Sequence, residues 1–217
     1  MPSSLLQARD VTFEFPQQAV FSHFSVAVPA GIMYVVGDES CGKSTLLRLF
    51  SGDLIPQTGS IEVCGISSKD NLAAYKKHVF WTDPRTSTHD HISPNDYFDL
   101  QRKVYPEFDD ALLLELIEGL SLSEHVSKAM YMLSAGSKRK VWVAAAFASG
   151  STATLLDEPF AALDKASINF LLERLERIAH HTDRAWVIAD YDVPRVLSAI
   201  FTIDLDLKPP YFLSKVL

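Results

Sequence analysis

Gly37-Asp38-Glu39-Ser40-Cys41-Gly42-Lys43-Ser44-Thr45 follows the apolar run Ile32-Met33-Tyr34-Val35-Val36 and leads into Leu46-Leu47-Arg48-Leu49-Phe50. The stretch fits GxxxxGK[ST], and it stands between a strand-like run and a helix-like run, the setting in which that pattern wraps phosphate. Backbone N–H groups of such a loop surround phosphate oxygens, and the helix N-terminus adds positive potential. Lys43 is then placed for the outer phosphates and Ser44 for Mg²⁺. Every residue from Gly37 to Thr45, Cys41 and Gly42 included, is a candidate for nucleotide binding. Asp38 and Glu39 must face solvent or Mg²⁺, because carboxylates repel phosphates. The competing reading, a glycine turn that happens to precede a lysine, is opposed by the strand and helix on either side. Cys41, in a loop at a helix N-terminus, is expected to be more acidic and more reactive than Cys64 unless Asp38 and Glu39 offset that field.

Further along, Ala153 to Leu156 and Trp186 to Ala189 are short apolar runs followed by Asp, as in parallel strands that end at a functional edge. The first belongs to Thr154-Leu155-Leu156-Asp157-Glu158-Pro159. Paired carboxylates at a strand end suit a site in which Asp157 holds the Mg²⁺ shell and Glu158 polarises attacking water. An ordinary turn after a strand is the plain alternative. Helix patterns fill the intervals at Leu46–Phe50, Asp110–Leu120, Lys138–Ala148 and Lys165–Ala179, the last capped by Asp164. Leu5–Phe15 and Val20–Val28 alternate broadly and read as antiparallel edge strands. The span 84–130 has no strand run and carries Pro84, Pro94 and Pro106, so it reads as a mostly helical insertion. Phe201–Leu207 and Tyr211–Val216 suggest a closing hairpin. Strands alternating with helices indicate an α/β fold.

Composition sets the bounds. The chain has 217 residues, 47% hydrophobic and 22% charged, which suits one folded domain and leaves no room for a second full one. The net charge of -7 argues against general affinity for nucleic-acid backbones, so no nucleic-acid partner is expected. Cys41 and Cys64 give no disulfide framework and suit a reducing cytosol. No run approaches the roughly eighteen apolar residues of a membrane span, and no signal-peptide pattern opens the chain, so any membrane role is expected to come through a partner.

Leu133-Ser134-Ala135-Gly136-Ser137 precedes Lys138-Arg139-Lys140 and an apolar helix. It resembles the LSGGQ signature of ATP-binding cassettes and stands in the family's order, between the phosphate loop and the Asp-Glu strand end. A helix cap with a basic first turn is the alternative, and it is awkward because Lys and Arg there oppose the dipole and want a nearby anion. Phe15 falls where the family stacks an aromatic on adenine, although an aromatic ending a strand also suits a core. Gly52 to Gly65 resembles the stretch after the phosphate-loop helix, and Ala161-Ala162-Leu163-Asp164 resembles the D-loop. The resemblance thus covers nearly the entire chain. It implies an α/β P-loop NTPase core with a mainly parallel sheet, an N-terminal antiparallel β-subdomain and a helical insertion. It implies one ATP-binding domain over 1–217, with a helical subdomain at about 84–150. Its cofactors would be ATP and Mg²⁺, with Ser44 and Asp157 on the metal and Ser134, Ala135 and Gly136 acting on ATP held by the opposite subunit. Its partners would be a second cassette, the same or different, and a membrane-spanning transporter subunit, placing it in the cytoplasm on the inner membrane face. The small haem-exporter-type cassette of cytochrome c maturation is similar in its short length, LSAG signature and Asp-Glu-Pro-Phe run.

Departures from the family bear on turnover. Thr82 stands after Val79-Phe80-Trp81 where the family has Gln, and Tyr191 stands at the switch His. Lys43, Glu158, Thr82 and Tyr191 are the candidate catalytic residues. An ATPase that drives transport and a degenerate cassette that only clamps ATP both remain readings. His89 with His91, and His180 with His181, suggest metal pairs, but surface or cap roles account for them as well. Tyr97, Phe98, Tyr105 and Phe108 either line a groove for a membrane partner or pack in a core.

Overall fold

A computed structural model describes residues 4–179, 183–197, 200–207 and 211–214. The alternating stretches near the beginning form β1 (Leu6–Phe15) and β2 (Gln18–Val28), joined by a tight turn. Together with β4 (Thr58–Val63) and β5 (Ile66–Ser67) they make an antiparallel sheet of order β2-β1-β4-β5. The expectation that β1 is an edge strand is corrected here, since it pairs with β2 on one side and β4 on the other. Alternation reports that one face is buried, and an inner antiparallel strand with a solvated face has the same pattern as an edge.

The second sheet has six strands in the order β10-β9-β3-β8-β7-β6. They are β3 (Gly31–Val36), β6 (Val79–Phe80), β7 (Ala153–Asp157), β8 (Ala185–Ala189), β9 (Ile200–Asp204) and β10 (Tyr211–Ser214). All pairings are parallel except the β9–β10 hairpin. The expected closing hairpin is present over its described residues; 215–217 lie outside them. Strands β7 and β8 are buried throughout, and β3 at every position but its last, because helices or the first sheet cover both faces. That double covering is the reason these strands are unbroken apolar runs. Parallel pairing also brings Gly37, Asp157 and Asp190 to one edge, each at or just beyond a strand's carboxyl end.

Two apolar cores flank this sheet. One encloses α1 (Lys43–Phe50) between the sheets, with Leu46, Leu47, Leu49 and Phe50 packed against Met33, Val35, Leu6 and Val63. The other joins α3 (Pro94–Val104), α4 (Asp110–Gly119), α5 (Ala135–Ala148) and α6 (Lys165–Ile178) to the opposite face, while α2 (Leu72–Lys76) lies beside β5 and β6. From Val141 to Ala148, α5 is buried on every side, since it runs between β7 and the helices α3 and α4. Pro94 occupies the first turn of α3, where a missing N–H is harmless, behind a Ser93–Asp96 capping box. Tyr97, Phe98 and Tyr105 are buried in this core and Phe108 packs against it, so the groove reading gives way to core packing. His89 lies 4.9 Å from the Tyr97 ring and His91 6.1 Å from Tyr131. His180 and His181 lie outside the described residues.

At the amino edge of the sheet, Arg184 donates from Nε to the Ser151 carbonyl (2.8 Å) and from Nη2 to Thr154 Oγ1 (3.1 Å). Its guanidinium lies 4.9 Å over the Trp186 ring.

Candidate functional site

The turn after β3 is shaped by Gly42. Its φ of 110° is left-handed, and a Cβ there would lie 2.9 Å from Val20 Cγ1. Because Gly42 caps α1 without a side chain, no cap claims the helix's first N–H groups, which stay directed at the cleft. Lys43, only 7% exposed, donates from Nζ to the carbonyls of Gly37 (2.5 Å) and Asp38 (2.8 Å). The same ammonium lies 4.5 Å over the Tyr191 ring. Asp38 and Glu39 are exposed, as expected of carboxylates in a phosphate loop, and the Asp38 N–H donates to Asp206 Oδ2 at 2.7 Å.

Ser44 and Asp157 meet although 113 positions separate them: Ser44 Oγ donates to Asp157 Oδ2 at 2.7 Å. Asp157 Oδ1 is buried with no hydrogen-bond partner. Burial, reinforced by Glu158 and only partly offset by the Ser44 bond, pushes the Asp157 pKa up. A half-satisfied, desolvated carboxylate beside a hydroxyl has the chemistry of a hard-cation site. Mg²⁺ fits it, since that ion takes one or two protein oxygens and completes its shell with water and phosphate. Among the described residues no larger His, Cys, Asp or Glu cluster could hold a metal.

Glu158 follows immediately, with φ 46° and its N–H donating to the Ala189 carbonyl at 2.8 Å. A left-handed conformation at a non-glycine residue costs of order 1 kcal/mol or more, and such strain gathers at functional sites. Here it turns the carboxylate into a cleft of about 310 Å³ lined also by Phe15, Val20, Lys43, Ser44, Thr45, Arg85 and Tyr191. Phe15 lines the cleft while partly exposed, its ring meeting Phe13 edge-on at 5.0 Å. Tyr191 is half exposed, and the nearby carboxylates, Glu158 foremost, raise its pKa, so its hydroxyl keeps its proton.

Two candidates lie apart. Thr82 does not line the cleft; its hydroxyl shares a 2.7 Å hydrogen bond with Tyr97, beside Arg139 and Trp142. Ser134, Ala135 and Gly136 also sit elsewhere. Ser134 caps α5 by accepting the Ser137 N–H at 3.0 Å and is exposed together with Ala135. Gly136 is buried against the Ala162 carbonyl, where a Cβ would lie 2.3 Å away. The basic first turn of α5 finds its anions within the chain, Lys138 on Asp90 (2.6 Å) and Lys140 on Asp164 (2.7 Å). The nearby anion that this turn is expected to want is thus supplied by Asp90 and Asp164.

Cys41 is also corrected. Burial raises its thiol pKa despite Lys43 nearby, so the loop field loses to desolvation. Sequence reading missed two arginines. Arg139 donates from Nη1 to the carbonyls of Asp157 (3.1 Å) and Glu158, tying α5 to the carboxylate turn. Arg85 lines the cleft three residues beyond Thr82; a cation that close to the departure at Thr82 was the one available signal.

A family model described as ABC transporter matches residues 21–161. An aliphatic sulfonates import ATP-binding protein of Agrobacterium fabrum is 29% identical over 93% of this chain and 74% of its own length. A cytochrome c biogenesis ATP-binding export protein of Legionella pneumophila is 26% identical over 87% of this chain and 98% of its own. Among solved structures, an ATP-binding subunit of an ABC transporter superposes with a TM-score of 0.82 at 21% identity, covering 93% of this chain and 85% of that one.

Proposed function

This chain belongs to the ABC transporter family as an ATP-binding subunit, and from that premise we propose that it hydrolyses Mg-ATP to drive a separate membrane-spanning subunit. The observation that carries the reading is the buried, half-paired Asp157 bonded to Ser44, with Lys43 and Glu158 opening into the same cleft. Lys43 exchanges its two loop carbonyls for outer phosphate oxygens, and the first N–H groups of α1 take the inner ones. Mg²⁺ would be held by Ser44 and Asp157 and neutralises phosphate charge when bound. Glu158 orients water and accepts its proton. Phe15 stacks on the base. We read 1–217 as one cassette and 84–150 as its helical arm.

The exposed Ser134 and Ala135, apart from the cleft of their own chain, support pairing with a second cassette whose ATP they would cap. The likeness to ATP-binding subunits of import and export systems supports a peripheral place on the cytoplasmic face beside a spanning subunit; no helix among the described residues is long and apolar enough to cross a membrane. The near end-to-end match with the cytochrome c biogenesis exporter favours a compact cassette of that kind.

Glu158→Gln should hold ATP and accumulate dimer on size-exclusion chromatography while turnover falls by about 100-fold. Equal dimer fractions and equal turnover in variant and parent would remove Glu158 from the chemistry. A second reading, an ATP clamp without useful turnover, draws on Thr82 being engaged with Tyr97 and on Tyr191 lying under Lys43. Brisk turnover by the parent, assayed with its membrane partner, would exclude the clamp.

A further inference from the structure

We propose that Arg85 binds the terminal phosphate of ATP from within the same chain, as a second cation of the cleft. The inference rests on the nucleotide reading above and adds a residue to it. Of the side chains lining the cleft, Lys43 and Arg85 are cationic, while Glu39 and Glu158 are acidic. Asp157 and Asp190 add carboxylates at the adjoining strand ends. A polyphosphate entering this surround meets at least as many anions as cations, so each cation facing it matters. Lys43 already touches two carbonyls and an aromatic ring. The Arg85 guanidinium is exposed and has no hydrogen-bond partner among the described residues, although its backbone is held: its N–H donates to Asp83 Oδ1 at 2.9 Å, and the Thr86 N–H closes the turn on the Asp83 carbonyl at 3.0 Å.

Its place along the cleft selects the phosphate. Phe15, Gln18 and Val20 reach the cleft from β1 and β2 of the first sheet, whereas Glu158 and Ser44, the latter bonded to Asp157, reach it at the carboxyl end of β7 in the second. Arg85 directly follows Pro84, which lines a small cavity together with Asp157, Pro159 and Arg139 of α5 at the carboxyl end of β7, and this assigns Arg85 to the end that would hold the outermost phosphate. Thr82, in the same segment, is turned to Tyr97, so Arg85 is the side chain that residues 82–86 send into the cleft. A planar guanidinium with five donors can bridge two oxygens of one phosphate, which an ammonium does less well.

The test compares Mg-ATP and Mg-ADP by titration calorimetry on the full chain, for the parent, Arg85→Ala, Arg85→Lys and Lys43→Ala. Arg85→Ala should weaken Mg-ATP by about tenfold and Mg-ADP by less than about twofold, with Arg85→Lys between parent and Arg85→Ala for Mg-ATP. Because Arg85 is exposed, melting temperatures should coincide. An unchanged ATP-to-ADP affinity ratio in Arg85→Ala, with Lys43→Ala crippled, overturns the proposal alone. A parent that binds neither nucleotide, or Lys43→Ala binding as the parent does, overturns the nucleotide reading and this inference with it.

Discussion

Two cations sit at opposite edges of the six-stranded sheet, each against an aromatic ring: Lys43 over Tyr191 at the carboxyl edge and Arg184 over Trp186 at the amino edge. Both also donate to backbone carbonyls. Their surroundings differ. Arg184 holds groups of the framework, and Thr154 Oγ1, which it contacts, is shared with Ser151 in a buried hydroxyl network. Lys43 holds carbonyls of its own loop, in a neighbourhood where Asp157 Oδ1 and Arg139 Nε are buried without partners. A sequestered cation with its ring is thus no mark of function by itself. The mark is unmet polar capacity beside it, which a folded chain tolerates where a ligand will supply the missing bonds.

The sharpest attempt to break this contrast is Lys43→Ala. Mg-ATP affinity should fall by about 100-fold or more, since one charge serving two phosphates is lost, while stability shifts by less than about 1 kcal/mol. Calorimetry and thermal melting read the two effects separately. Arg184→Ala should do the reverse: a loss of about 2–3 kcal/mol and several degrees in melting temperature, with Mg-ATP affinity unchanged. Loss of binding in a folded Arg184→Ala protein would show that the two edges are coupled and end the comparison.

A smaller effect concerns the ring under Lys43. If Tyr191 stands at the switch position, Tyr191→His should raise ATPase turnover by up to about tenfold, because a contact strengthened in the transition state acts on rate more than on binding. A neutral or harmful result in a steady-state assay would instead assign Tyr191 the task of holding Lys43. The smallest effect lies beside them. With its pKa raised by burial, Cys41 keeps its proton to higher pH than an ordinary thiol, so its alkylation should trail that of exposed Cys64 by a few-fold at about pH 8 and begin to rise only at higher pH. Mass spectrometry with and without ATP checks this; Cys41 labelling faster than Cys64, or unslowed by saturating ATP, would contradict the loop geometry.

Much of this molecule is legible in its sequence because its loop chemistry is contiguous. The spacing of Gly37, Gly42, Lys43 and Ser44, the apolar runs of β3, β7 and β8, and the Asp157-Glu158 strand end each express themselves within a few residues, and the α/β fold follows from their alternation. Tertiary structure alone decided that β1 is an inner strand, that Thr82 turns to Tyr97, that Lys138 and Lys140 meet Asp90 and Asp164, and that Arg85 enters the cleft. Those outcomes depend on strand order and on which distant side chains converge, and desolvation follows from the same packing, as the raised pKa of Cys41 shows. A local pattern specifies what a residue can donate or accept; only the packed chain specifies which partner is near and how much water is left to compete for it.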